Sequence, residues 1–276
     1  MDRFGQLRLA AMTLIEQRSW QASACPPEFR DSMRINMKKL ISVFTICLGC
    51  ITLVCADSGE KEKERITDSA NVMKAILDAP DKGIPESVLG GSKCVIVIPS
   101  VKKAAFIVGA SYGRGVMTCR EGQDFKGPWS APIMMATESG SVGFQIGGEG
   151  TDFVILVLND DGARTLMKSK IKLGADASIA AGPVGRTAEA STTGSMKAQM
   201  LSYSRSRGVF GGVSLSGATL RVDGDANKNL YGEQVSPEQI IKGQGITMPD
   251  QAKPLIDELT TATNKLDKPK PGEHNK

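Results

Sequence analysis

The run Cys94-Val-Ile-Val-Ile-Pro-Ser-Val-Lys-Lys-Ala-Ala-Phe-Ile-Val-Gly-Ala-Ser-Tyr-Gly-Arg-Gly-Val-Met-Thr-Cys-Arg120 decides the fold class. Cys94 to Ile98 is apolar and rich in β-branched residues, the pattern of a buried strand, and Pro99 is expected to stop it because proline cannot donate to a ladder. Ala104 to Arg120 reads as a long strand that carries glycines. Three more strands are expected at Ile133 to Thr137, Ser141 to Ile146 and Phe153 to Leu158, with Gly147-Gly-Glu-Gly150 as the turn between the last two. The connections are too short for crossover helices, which makes the sheet mainly antiparallel.

Working outward, a short helix is expected at Asp161 to Met167, and strands rich in Gly, Ala and Ser resume at Lys170 to Gly182 and Met200 to Val222. Between these two, Glu189 to Lys197 is small and polar and reads as a mobile loop. On the N-terminal side, Glu60 to Asp78 opens with alternating charges and then sets Ile66, Ala70, Met73, Ile76 and Leu77 at helical spacing, giving an amphipathic helix; Pro85 to Leu89 adds a short helical turn. On the C-terminal side, Asp250 to Leu266 places Leu255, Leu259, Ala262 and Leu266 on one face, with Pro254 in the first turn. The expectation is an α+β fold: a strongly curved, mainly antiparallel sheet or barrel-like core between an N-terminal amphipathic helix and a C-terminal helix. Glycines within long strands favour such coiling.

The first 56 residues read differently. Met37 looks like a start, followed by Lys38 and Lys39, the apolar run Leu40 to Val54, and Val54-Cys-Ala56 as a small-x-small cleavage site. This apolar run is shorter than the roughly 20 residues a membrane span needs. We therefore expect a signal peptide over residues 37–56 with export to the periplasm or beyond, a lipid-modified Cys50 or Cys55 being the alternative. Residues 1–36 read as a mis-assigned start or a disordered leader. The chain has 34 Lys and Arg against 30 Asp and Glu; seven and four of these lie in residues 1–56, which leaves 27 against 26. The remainder is nearly neutral and has no basic stripe interleaved with aromatics, so no nucleic-acid partner is expected.

Catalytic and metal chemistry find little purchase. The single histidine, His274, stands in the Lys- and Pro-rich tail, so no triad or histidine base can be built. The carboxylates Glu138, Glu149, Asp152, Asp160 and Asp161 lie close in sequence, but Asn159-Asp-Asp-Gly162 is turn chemistry and the others flank strands. Asp223-Gly-Asp-Ala-Asn-Lys-Asn229 starts like a calcium loop, then has Lys228 where glycine is needed and Gln234 in place of the bidentate glutamate. Gly113-Arg-Gly115 lacks the third glycine of a dinucleotide fingerprint. Neither an enzyme, a metal nor a cofactor is expected. Beyond residue 56 only Cys94 and Cys119 are left, with two readings open: a disulfide worth about 3 kcal/mol in an exported protein, or two buried thiols on neighbouring strands. Trp129, between Pro128 and Pro132, reads as a core aromatic.

The ordered set Cys94-Val-Ile-Val-Ile-Pro99, Gly113-Arg-Gly115, Arg120, Trp129-Ser-Ala-Pro132, Gly143-Phe-Gln-Ile-Gly147, Gly182-Pro-Val-Gly185, Ser202-Tyr-Ser204, Gly208-Val-Phe-Gly-Gly-Val-Ser-Leu215 and Asn227-Lys-Asn-Leu-Tyr-Gly232 resembles the SYLF domain over roughly Ile66 to Gly232. The resemblance implies residues 57–245 as a lipid-binding domain, 246–266 as a helix packed on it and 267–276 as a disordered tail. Eukaryotic members bind phosphoinositides and are linked to actin patches, whereas exported bacterial members, which the signal peptide resembles, are lipid-binding. Actin is thus not the expected partner. The family's lipid contact is attributed to an N-terminal amphipathic segment with basic residues, which here implies Arg65, Ile66, Met73, Lys74 and Leu77, an apolar face beside cations that suits the headgroup boundary. Lys93, Lys102, Lys103 and Arg114 are further cations that could meet phosphates, each worth about 1 kcal/mol near an anionic surface. The expected role is non-enzymatic association with anionic phospholipid or phosphoinositide-like headgroups in an envelope. The alternative is a structural or interaction module that forms homo-oligomers or binds an envelope protein.

Overall fold

The computed structural model describes residues 59–78, 83–105, 108–142, 150–185, 197–206 and 209–264. The first element, α1 (Glu60–Leu77), forms where expected. A Lys63 to Glu60 ion pair of 3.3 Å supports its first turn, and Ile66, Ala70, Met73 and Ile76 are buried on one face. After α2 (Glu86–Gly90), β1 (Cys94–Ala105) and β2 (Val108–Cys119) form an antiparallel pair. Next come β3 (Ile133–Val142), β4 (Thr151–Val157), α3 (Asp160–Leu166), β5 (Lys170–Lys172), β6 (Ile179–Ala181), β7 (Met200–Ser206), β8 (Val209–Gly212) and β9 (Thr219–Val222). The chain then runs through α4 (Gly224–Tyr231), α5 (Pro237–Ile241), a 3-10 turn at Asp250–Ala252 and α6 (Lys253–Asn264).

The strands join one sheet in the order β5-β9-β3-β2-β1-β4-β7, and the far side of β7 is shared by β6, parallel beside Met200 to Ser202, and β8, antiparallel beside Tyr203 to Ser206. All other pairings are antiparallel. The sheet curls into a half-barrel, as the glycine-bearing strands predict. It is buried on both faces, with successive residues alternating between them. One face carries Cys94, Ile96, Met117, Ile133 and Ile155 against Phe125, Leu166, Leu220 and Ile241. The other carries Val95, Val97, Val116, Met134 and Leu156 against Ile66, Met73 and Ile76 of α1, Leu89 of α2, and Leu255 and Leu259 of α6.

Several boundaries differ from expectation. Pro99 does not end its strand: β1 continues to Ala105 through a bulge, where Ser100 has φ 48° and its N–H donates to Asp152 Oδ1 at 2.9 Å. A bulge leaves one residue unpaired, so the missing proline donor costs nothing there. The segment expected as one strand from Ala104 to Arg120 begins within β1 and returns as β2. Ile133 to Thr137 and the start of the next expected strand merge in β3, which runs through Gly140 to Val142. The turn at Gly147 to Gly150 falls largely on residues 143–149, and the loop at Glu189 to Lys197 on 186–196, outside the described residues. Lys170 to Gly182 breaks into β5 and β6 because Gly174 turns the chain at φ 85° and Asp176 Oδ2 accepts from the Lys172 N–H at 2.6 Å. The calcium-like stretch is α4: Asp223 caps it, and the Asn227 side chain accepts from the Met134 N–H at 2.8 Å.

Two details show how tightly the sheet is packed. Gly182 lies on the ring of Tyr203, where a Cβ would fall 2.0 Å from Cζ. Cys94 and Cys119 face each other in register at the end of the β1–β2 ladder and are joined by a disulfide.

Candidate functional site

The α1-covered face of the sheet changes character toward the end where β1 and β2 join. On β2, Tyr112, Arg114 and Val116 share this face by the two-residue period, but only Val116 belongs to the apolar cluster. Tyr112 stands opposite Lys102 on β1 and Glu138 on β3. Arg114 donates from Nε to the Tyr112 hydroxyl and lies 3.3 Å from Asp223 Oδ2. The Arg114–Asp223 contact is one of charge rather than a directed hydrogen bond, since Asp223 Oδ2 has no hydrogen-bond partner of suitable geometry; Asp223 Oδ1 accepts from the Ala226 N–H at 3.4 Å.

The first turns of α1 complete the cluster. Glu62 is buried and Arg65 half-buried, with one carboxylate oxygen of Glu62 and one guanidinium nitrogen of Arg65 lacking a hydrogen-bond partner among the described residues. Burial lowers the Arg65 pKa most, the like charge of Arg114 adds to this, and Glu62 and Asp223 oppose both. The Arg114 pKa is raised, chiefly by its bond to Tyr112. Two guanidiniums and two carboxylates thus neutralise one another where α1, β2 and the start of α4 meet.

Beside this balanced cluster stands a further cation. Lys102 is exposed and has no ion-pair partner among the described residues. Its neighbours on the same face are paired: Arg221 with Glu138 at 3.1 Å and Arg205 with Asp152 at 3.4 Å. Tyr112 is 41% exposed, and Val209, at the start of β8 on the same end of the sheet, is 74% exposed.

The structure redistributes the residues expected to bind lipid. Arg65, Arg114 and Lys102 converge on one region, Arg65 as a half-buried member of the network. Ile66 and Met73 are fully buried, and Leu77 packs against the same cluster. This corrects the expectation that they form a membrane-facing stripe: the apolar face of α1 is already taken by α6 and the sheet. Lys74 stands apart, tying α1 to α6 through Glu258 at 3.3 Å and pairing with Asp78 at 3.2 Å. Lys93 is at the opposite end of the sheet, 3.6 Å from Asp160 and 3.4 Å from the Asp124 carbonyl. The Lys103 side chain lies outside the described ones. Sequence reading missed Tyr112 and Glu62; Tyr112, two residues before Arg114 in a strand, could have been found by alternation alone.

Among the described residues no group of three His, Cys, Asp or Glu could hold a metal, and no helix is long and apolar enough to cross a membrane. The arrangement suits electrostatic recognition: an ammonium and a positioned guanidinium beside a phenol can receive anionic oxygens.

A curled antiparallel sheet clasped by helices from both ends of its chain defines the class. A family model described as Ysc84, Las17-binding protein actin regulator, matches residues 138–262. The chain is 40% identical over 176 residues to an SH3 domain-containing protein of Schizosaccharomyces pombe, covering 62% of this chain and 40% of the relative. It is 34% identical over 179 residues to LAS seventeen-binding protein 3 of Saccharomyces cerevisiae, covering 64% and 38%. With SH3 domain-containing YSC84-like protein 1 of Homo sapiens it shares 33% identity over 191 residues, covering 69% and 54%. The chain belongs to the SYLF-domain family. It spans about 40–55% of the length of these relatives.

Proposed function

We propose that this chain is a non-enzymatic module that associates with anionic lipid headgroups of a cell envelope through the cations at the β1–β2 end of its sheet. The carrying observation is Lys102: an exposed ammonium with no ion-pair partner among the described residues, opposite an exposed tyrosine and next to an arginine whose orientation is fixed. An ammonium without a carboxylate partner is the group most able to gain from an anionic surface, since nothing must be broken first. In this reading α1 is a buttress and its apolar face stays in the core. Export is part of the proposal, supported by the leader pattern of residues 37–56 and by the Cys94–Cys119 disulfide, which suits an oxidising compartment.

The test is cosedimentation of the purified chain with phosphatidylcholine vesicles and with mixed phosphatidylglycerol vesicles, at low and high salt. Binding confined to anionic vesicles and removed by salt is expected. Failure to bind either at low salt would overturn the proposal and favour a protein-interaction module. That second reading has its own support in the family description and in a relative named for binding Las17. Actin is not the partner proposed under either reading, because export would separate the two.

A further inference from the structure

The end of the sheet opposite Lys102 carries a cavity of about 620 Å³ between the β2–β3 connection, α3 and α5. Its floor is apolar, made by Phe125 and Ile241, each 3% exposed, and by Met167. Its rim holds two carboxylates, Glu121 and Glu238, and two cations, Arg164 and Lys242. Glu121, Glu238 and Lys242 form no ion pair among the described residues, while Arg164 is held loosely by Asp160 at 4.0 Å and the Gln123 carbonyl at 3.5 Å. Four charges therefore surround an apolar floor, and among the described residues no ion pair joins them to one another.

The floor is fixed in advance. Phe125 has φ 49°, a backbone region that phenylalanine seldom adopts, and its N–H donates to the Gly122 carbonyl at 3.3 Å. Around it, the Glu121 N–H donates to Pro128 at 2.8 Å and the Gly127 N–H to Glu121 at 2.9 Å, so the loop closes on itself and holds the ring down. An uncommon backbone conformation kept in place beneath an open cavity is the pattern of a binding site rather than of a mere connection.

We propose that this cavity binds a zwitterionic amphiphile, a small molecule bearing an ammonium and an anionic group on a short apolar body. A ligand of one sign would meet two like charges on the rim; only one bearing both signs satisfies all four. A phospholipid with an ethanolamine headgroup and an apolar peptide in its zwitterionic form share this chemistry. The inference stands apart from headgroup binding at Lys102.

Titration calorimetry of the full chain tests it with three probes: dihexanoyl phosphatidylethanolamine below its micelle concentration, a leucyl-phenylalanine dipeptide, and dihexanoyl phosphatidylglycerol as the purely anionic control. Saturable binding of either zwitterion, at least about ten-fold tighter than the control, is expected. The probe that binds identifies the source as lipid or peptide. Glu238→Lys and Lys242→Glu, both at exposed positions, should each weaken it by about ten-fold, and the double exchange should recover most of the loss. Lys102→Glu should leave it unchanged. No saturable heat from either zwitterion, equal affinity for the anionic control, or indifference to both rim variants would overturn the proposal.

Discussion

The two ends of the β1–β2 ladder are built from the same pair of strands and have opposite characters. At one end Cys94 and Cys119 are buried and bonded, Thr118 donates to the Ser130 carbonyl at 2.7 Å, and the adjoining positions are apolar. At the other, Lys102, Tyr112 and Arg114 face outward or into a charged network. The bulge at Pro99 and Ser100 separates them. From Val97 to Lys102 β1 takes five steps, whereas the paired stretch of β2 from Val116 to Tyr112 takes four. One extra residue reverses which side chains face which side. Val101 joins the face of Ile98, and Lys102 rather than Lys103 shares the face of Tyr112. A buried, disulfide-pinned end and an exposed, charged end can thus share two strands if an irregularity stands between them.

The comparison breaks most readily at the α1 contact. If the apolar face of α1 belongs to the scaffold, Met73→Ala should cost about 2–5 kcal/mol in urea unfolding, because a fully buried methionine leaves a cavity. A loss below about 0.5 kcal/mol would mean that this face is not held in the core. The pinned end comes next. Replacing both Cys94 and Cys119 by alanine should destabilise by about 3 kcal/mol, the effect of releasing a loop of this size in the unfolded chain. Vesicle binding measured well below the lowered melting temperature should be unchanged, and its loss would show that the two ends are coupled.

The legible part of this molecule derives from period and spacing. The helix at Glu60, the antiparallel order of the central strands and the C-terminal helix come from apolar residues recurring at 3.6 or 2.0, which local backbone geometry enforces. The bulge was not legible, because proline ends strands more often than it sits in them, and the Asp152 bond to Ser100 that supports the exception comes from a residue far away in sequence. Nor was the fate of the amphipathic α1: a hydrophobic stripe says that a face will be covered, and whether lipid or Leu255 and Leu259 cover it is a tertiary fact. Candidate cations were found by charge alone. Which of them is free depends on carboxylates far away in sequence, as with Lys74 and Glu258 or Arg114 and Asp223.

The charged end, the proposed recognition surface, should respond in binding rather than in stability. Lys102→Glu exchanges an attractive charge for a repulsive one, worth about 2 kcal/mol at an anionic surface, or about thirty-fold in affinity at low salt. Its effect on unfolding should stay within about 0.5 kcal/mol, since the side chain is exposed and has no ion-pair partner among the described residues. Lys74→Glu should weaken vesicle binding less, because the Lys74 ammonium already serves Asp78 and Glu258. Equal effects of the two variants would argue for a diffuse positive field in place of a localised surface.

The smallest effects come from two buried tyrosines. The Tyr231 hydroxyl donates to the Pro132 carbonyl, whereas the Tyr203 hydroxyl is buried with no hydrogen-bond partner among the described residues, its ring stacked on Phe210 at 5.4 Å. Tyr231→Phe should therefore cost about 1 kcal/mol, and Tyr203→Phe should be neutral or slightly stabilising. Burial raises the pKa of both phenols above the ordinary value of 10.0. The folded chain consequently holds these two protons at a pH where the unfolded chain releases them. Their contribution to stability is complete below about pH 10 and declines as pH rises from there toward the folded-state values. Urea midpoints measured from pH 8 to 11 should fall above pH 10, and Tyr203→Phe should make that fall shallower. An unaltered slope in the variant would mean that the Tyr203 hydroxyl reaches water, and that the boundary between the buried and charged halves of β7 lies deeper than the stacking on Phe210 suggests.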